Sequence, residues 1–261
     1  TATFDSSNNK VVFSYQDDNN SGFGTSVVGS ISGTSISFGT PVVFESASVE
    51  FIDSTFDSSN NKVVIVYQDE GNSSHGTAIV GTVSGTSISF GSAAVFESAD
   101  TRDINVAYDS NAQKAVIAYR DVGNSQYGTA IVGTVSGTDI TFGTAAVFAT
   151  SASEYNGIAY DASAQKVVIA YADTGSSYHG KAVAGTVSGT SITFGSIVTY
   201  ESATTYYHRP VYDSNAERVV IPYTDSGNSD YGTAAVFRSA STNLTSENFI
   251  GFAENDCTDN G

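Results

Sequence analysis

Five flat side chains recur at a fixed interval: Phe23, His75, Tyr127, His179 and Tyr231, each 52 residues after the last and each followed by glycine. An aromatic or imidazole ring at the end of a loop can stack on the apolar face of a sugar, with neighbouring Asn and Asp as hydrogen-bond partners. The same rings can also do no more than cover the outer end of the sheet that carries them. A second group of candidates lies where the copies differ. Glu50, Arg102, Glu154, Tyr206, Tyr207 and Arg209 fall in corresponding connections whose sequences are unlike one another, and His75, His179 and His208 lie in or beside the same connections. Positions shared by every copy serve the common architecture. Positions that break the repeat are free to bind.

The interval itself comes from an aromatic–Asp pair: Phe4-Asp5, Phe56-Asp57, Tyr108-Asp109, Tyr160-Asp161 and Tyr212-Asp213, again 52 apart. Five such units account for 260 of the 261 residues, and Gly76–Gly85 and Gly128–Gly137 are the same decapeptide. A period of this size means a repeat architecture. Each unit holds four strand signals. In the second they are the segment ending at Phe56, the run Lys62–Tyr67, the run Gly76–Val83, and Ile88–Phe90 continuing to Ala94–Phe96. The second run is apolar at nearly every position in each copy, as in Val63-Val64-Ile65-Val66 and Val167-Val168-Ile169-Ala170. A strand with one wet face alternates, so these strands have both faces covered. Pro222 interrupts the fifth of them and removes a ladder donor.

The expected fold class is therefore all-β: a five-bladed β-propeller with four antiparallel strands per blade. One domain spans residues 1–254, with blades at about 1–48, 49–100, 101–152, 153–204 and 205–254, followed by a polar tail at 255–261. The chain starts in a first strand and ends after a fourth, so closure is expected to rest on packing between blades one and five.

The shared polar residues read as scaffold. Asp5, Asp57, Asp109, Asp161 and Asp213 open turns in which the carboxylate can bond the backbone ahead. Lys10, Lys62, Lys114, Lys166 and Arg218 follow five residues later and are placed to pair with them across the hairpin. In Tyr15/Asp17, Tyr67/Asp69, Tyr119/Asp121, Tyr171/Asp173 and Tyr223/Asp225 the tyrosine packs and the aspartate begins a loop.

Composition excludes several functions. With 27 acids against 10 bases the formal charge is −17, which disfavours nucleic acid, since phosphate binding needs a basic stripe. No apolar run is long enough to span a membrane. The single cysteine, Cys257, lies in a polar tail and reads as an incidental thiol or as a link to another chain. No Walker loop, zinc spacing or nucleophile elbow occurs, and no metal ligand set is assigned. No cofactor is expected. Calcium enters only because loops such as Asp69–Ser73 and Asp121–Ser125 offer oxygen ligands; they lack the EF-hand pattern, and an Asx turn explains them. Glu50, Asp53, Asp103 and Glu154 are the carboxylates that would serve a glycosidase, but nothing marks a catalytic pair, and no catalytic residue is assigned.

The unit D-S-x-x-x-K-V-V-I-x-Y-x-D, followed by G-N-S and G-T-A-I-V-G-T-V-S-G, resembles repeats of marine phage tail and tail-fibre proteins and related surface proteins. The closing Glu247-Asn248-Phe249-Ile250-Gly251 is similar to the segment that ends such arrays. The resemblance covers nearly the whole chain. It implies a virion or extracellular setting and a role in attachment or display, and it carries no catalytic motif. No signal peptide is visible and the chain does not begin with Met, so it reads as a mature or excised piece of a longer protein. The expected partner is a cell-surface glycan or protein receptor met through the variable face. The alternatives are a spacer within a larger assembly and, third, a glycoside hydrolase.

Overall fold

The computed structural model describes residues 1–239 and, as backbone, the strand Phe249–Phe252. Cys257, the tail at 255–261 and Glu247-Asn248 lie outside the described residues. The chain is all-β and antiparallel. Its strands are β1–β5 (Ala2–Asp5, Lys10–Asp17, Phe23–Ser32, Ser35–Phe38, Val42–Asp57), β6–β9 (Lys62–Asp69, His75–Ser84, Ser87–Phe90, Ala94–Asp109), β10–β13 (Lys114–Asp121, Tyr127–Ser136, Asp139–Phe142, Ala146–Asp161), β14–β17 (Lys166–Asp173, His179–Ser188, Ser191–Phe194, Val198–Tyr206) and β18–β21 (Val211–Asp213, Arg218–Asp225, Tyr231–Phe237, Phe249–Phe252).

These strands pair into five successive antiparallel sheets. In the second sheet the latter part of β5 pairs with β6, β6 with β7, and β7 with both β8 and the opening of β9. The strands β5, β9 and β13 are each 16 residues long and belong to two sheets. The first half of β5 ends one sheet at the pair Phe23↔Ser48, and the second half starts the next at Val49↔Asp69. The connections expected between fourth and first strands are thus not loops but bulges inside long strands. Register shifts fall between Glu50 and Asp53 and between Glu154 and Gly157, where extra residues bend the strand from one sheet into the next. In the fifth copy the strand breaks between Tyr206 and Val211. The Arg209 amide still donates to the Pro222 carbonyl (3.2 Å), but Pro222 has no N–H to return and Pro210 has none to offer.

Packing explains the apolar second strands. Val63, Val64, Ile65, Val66 and Tyr67 are all fully buried. Val64 and Val66 join Ala78 and Val80 in packing on Ile117, Tyr119 and Ile131 of the third sheet. Val63, Ile65 and Tyr67 point the other way, onto Val12, Val28 and Phe44 of the first. The same aromatic wedge marks the first three junctions. Phe44 lies between Tyr67 and Phe90, with ring centroids 5.2 and 5.8 Å away, and Phe96 and Phe148 repeat the arrangement. Gly76 makes room for the wedge in its own sheet, since a Cβ there would stand 2.5 Å from the Phe96 ring. The first sheet has an outward face left uncovered by described residues: Ile31 is 63% and Ile36 43% exposed, whereas their counterparts Val83 and Ile88 are 6% and 4%; on the fifth sheet Val220, Pro222, Ala234 and Val236 are likewise only half-buried.

The turn chemistry is uniform. Asp5, Asp57, Asp109, Asp161 and Asp213 each accept two backbone amides, two and three residues ahead, at 2.8–3.1 Å. No ion pair joins Asp5 to Lys10, Asp57 to Lys62, Asp109 to Lys114 or Asp213 to Arg218. The register sets each pair of backbones side by side, as in Asp57↔Lys62, but the carboxylates turn to the amides of their own turn. Asp17, Asp69, Asp121, Asp173 and Asp225 cap short 3-10 turns in the following loops, and the loops considered for calcium are two of these.

Close approach between sheets at the outer edge gives a direct test. A Cβ on Gly91 would sit 2.0 Å from the Thr138 carbonyl oxygen, with no positive φ to complicate the substitution. Gly91→Ala is expected to destabilise the fold by about 1–3 kcal/mol through that backbone clash, read as a lowered urea midpoint.

Candidate functional site

The positions 52 apart that follow each bulge come together. Thr1, Asp53, Asn105, Gly157 and Arg209, one from each sheet, line a single cavity of about 570 Å³. Phe51, Asp103, Tyr155 and Tyr207 are the corresponding bulged residues, and all four adopt left-handed backbone, with φ between 48° and 57°. Left-handed Phe and Tyr are uncommon and cost of order 1 kcal/mol each, so the surrounding structure must hold them there.

Hydrogen bonds between copies do the holding. Asp53 accepts the Thr1 hydroxyl on one side (3.0 Å) and the Val106 amide on the other (3.0 Å), linking first, second and third sheets. Asp103 accepts the Tyr155 amide of the next copy (3.1 Å). Asn105 donates to the Asn156 carbonyl (2.7 Å). His208 is fully buried and joins the fourth and fifth sheets, with Nδ1 3.0 Å from the Tyr155 carbonyl and Nε2 3.0 Å from the Thr205 hydroxyl. The neutral ring protonated on Nδ1 satisfies both contacts. Burial holds its pKa down to about 4. Burial also raises the carboxyls of Asp53 and Asp103 above the ordinary range; backbone amides oppose this at both, and Arg120 does so more strongly at Asp103. Arg120 ties the rim by pairing with Asp103 (3.1 Å) and Glu154 (2.8 Å).

One side of the mouth is aromatic. Tyr155 lies 5.3 Å from Tyr206 and 5.0 Å from Tyr207, and Tyr178 lies 6.4 Å from Tyr206, all as ring-centroid separations. Tyr178 is also left-handed, and Tyr207 stands 62% exposed. Of the residues expected from the sequence, Tyr206, Tyr207 and Arg209 meet here, Tyr207 and Arg209 lining the cavity and Tyr206 in the tyrosine cluster. Glu154 is held at the rim by Arg120. Arg102 is turned to Asp100 (2.7 Å), and Glu50 is exposed nearby. The five rings are elsewhere. Phe23, His75, Tyr127, His179 and Tyr231 each open the third strand of a sheet, opposite the loop-capping aspartates, and none lines the cavity. Sequence reasoning missed Tyr155 and Tyr178 as partners of Tyr206, and Asn105 and Asn156 as cavity residues. The signal available was their departure from the repeat, since Asn156 stands where the second and third copies have Ile52 and Ile104.

The buried imidazole makes stability depend on pH. The unfolded His208 takes up a proton near pH 6.5, while the folded one resists until about 4. Its contribution is therefore complete above about pH 6.5 and is lost as the pH falls toward 4. The shift corresponds to at most about 3 kcal/mol. In His208→Gln the fall in urea midpoint between pH 7 and 4.5 is expected to be shallower than in the parent protein, whose imidazole should titrate near pH 4 by NMR.

No known protein family and no curated protein matches the chain. Solved structures do. A structure of the SapL1 lectin in complex with alpha methyl fucoside aligns with a TM-score of 0.55 at 13% identity, over 92% of this chain and 76% of that one. A triple arginine-to-alanine mutant of AofleA from Arthrobotrys oligospora aligns at 0.57 and 8%, over 92% and 69%. An exo-beta-1,3-galactanase from Clostridium thermocellum aligns at 0.52 and 10%, over 90% and 57%. At such identities the likeness is one of fold, and the fold is β-propeller-like and all-β.

Proposed function

We propose that the chain closes as a five-bladed propeller and binds a glycan, without catalysis, at the mouth of its central cavity. The observation that carries this reading is the cluster of Tyr155, Tyr178, Tyr206 and Tyr207 beside a cavity of mixed lining that includes Asp53, Asn105 and Arg209, three of the tyrosines in left-handed backbone. Strained aromatics at a rim fit recognition better than packing. Tyrosine faces suit the C–H surface of a sugar ring, and Arg209 and the asparagines suit its hydroxyls. A cavity of about 570 Å³ is of the size that holds one or two sugar residues. Five-fold closure is supported by the cavity lining, which takes one residue at each 52-residue step from all five sheets. Lectins are among the proteins of similar fold.

In this reading the module serves attachment or display at a virion or cell exterior, with a glycan or a glycosylated receptor as partner. The five third-strand rings are then a separate surface. A spacer role within a larger assembly is the alternative that needs no ligand. A hydrolase reading has one observation in its favour, the raised carboxyls of Asp53 and Asp103 in one cavity. Against it, both spend oxygens on backbone amides of neighbouring copies, the work of structural ties.

Glycan arrays with the parent protein and with Tyr207→Ala test the proposal. Tyr207 is exposed, so the fold should persist, and the affinity for the best glycan is expected to drop about 10-fold. Loss of binding in Tyr127→Ala and Tyr231→Ala instead would move the site to the third-strand rings. Turnover of chromogenic glycosides, abolished by Asp53→Asn, would establish the hydrolase.

A further inference from the structure

Three arginines lie at this face, and two of them are taken up by acids of the protein itself. Arg102 pairs with Asp100 (2.7 Å), and Arg120 pairs with Asp103 (3.1 Å) and Glu154 (2.8 Å). Arg209 pairs with no acid among the described residues, in a chain of 27 acids and 10 bases. It is exposed and lines the cavity. A guanidinium has five N–H donors, and one is spent, from Nη1 to the His208 carbonyl (3.3 Å). The carboxylates that share the cavity are committed. Asp53 takes the Thr1 hydroxyl on Oδ1 and the Val106 amide on Oδ2. Asp103 takes the Tyr155 amide on Oδ1 and Arg120 on Oδ2. Arg209 is near enough to Asp53 to favour its ionised form, yet the two make no ion pair. The charged group with open hydrogen-bonding capacity in the cavity is thus a cation.

We propose that Arg209 sets the specificity of the cavity for a carboxylated sugar, a uronic acid whose carboxylate pairs with the guanidinium while its ring stacks on Tyr207. This rests on the glycan-binding reading above. Tyr207 stands two residues away, is 62% exposed and also lines the cavity, so ring face and cation reach one ligand. The planar guanidinium fork matches a carboxylate with two parallel charge-assisted hydrogen bonds, which a neutral hydroxyl cannot supply. The overall charge of −17 acts at longer range and is screened beyond about 8 Å at physiological ionic strength, so the contact decides. A singly charged carboxylate is favoured over a dianionic phosphate ester, because Asp53 and Asp103 repel the second charge.

Calorimetric titration of the parent protein, Arg209→Gln and Arg209→Lys is the experiment. The ligands are methyl glucuronide and methyl galacturonide, their neutral counterparts methyl glucoside and methyl galactoside, and acetate. The parent is expected to bind a uronide about 10-fold more tightly than the neutral sugar of the same ring configuration. Arg209→Gln is expected to remove most of that difference. Arg209→Lys is expected to keep part of it, since an ammonium supplies the charge without the fork. Thermal unfolding checks the fold of each variant. Arg209 is exposed, and its backbone amide, which bonds the Pro222 carbonyl, is the same in both, so Tm is expected to stay within about 2 °C. Equal affinity of the parent for a uronide and its neutral counterpart would overturn the proposal and leave the glycan reading intact. A uronide preference that survives in Arg209→Gln would overturn the role of Arg209. Acetate bound as tightly as the uronides would reduce the site to a bare anion contact and overturn the sugar class. If the parent protein bound no saccharide, here or on the array, both readings would fall together.

Discussion

Two-sided burial of the second strand in the three middle copies is the constraint on which the rest of the structure depends. A sheet whose central strand is apolar on both faces is stable only between two other sheets. Val63 to Tyr67 show the result, with alternate side chains committed to the preceding and following sheets. Stacking in one direction carries the inner strands toward a common line. There, side chains have little room and much backbone to satisfy, and the repeat's apolar rule gives way to Asp, Asn and His bonding across copies.

The bulges follow from this geometry. A chain that leaves the outer edge of one sheet and enters the inner edge of the next within one 16-residue strand must bend sharply. It does so at a residue with left-handed backbone, in positions filled by Phe, Asp, Tyr and Tyr rather than glycine. The strain is offset by the inter-copy hydrogen bonds, such as Asp103 to the Tyr155 amide. The residues that line the cavity are thus held rigidly, as a binding surface requires.

Much of this was legible in the sequence, for identifiable reasons. The 52-residue interval, the strand pattern and the capping aspartates are local or periodic, and each is found in the structure. The segments around Glu50–Asp53 and Glu154–Gly157 read as loops because their composition is irregular, yet they are strands with bulges. A bulge with a left-handed tyrosine has no sequence signature, since glycine is the residue that announces such a backbone. The expected pairing of Asp5, Asp57, Asp109 and Asp213 with the bases five residues on is not found, because a turn amide is nearer to the carboxylate than a flexible cationic group. The tyrosine cluster joins residues from two copies, and its members Tyr155 and Tyr207 are a full repeat apart, so only the fold brings them together. The double pairing of Arg120 to Asp103 and Glu154 likewise needed coordinates.

Among the left-handed residues at the cavity, Tyr155 is anchored through its peptide group, its amide donating to Asp103 and its carbonyl facing the His208 ring, while Asp103 is held by its carboxylate. Phe51, Asp103, Tyr155 and Tyr207 share one backbone shape with unrelated side-chain chemistry. Selection can rewrite the chemistry of the cavity wall, one copy at a time, while the scaffold beneath it stays the same. Duplication supplies such a protein with interchangeable parts, and drift at four corners is enough to tell its descendants apart.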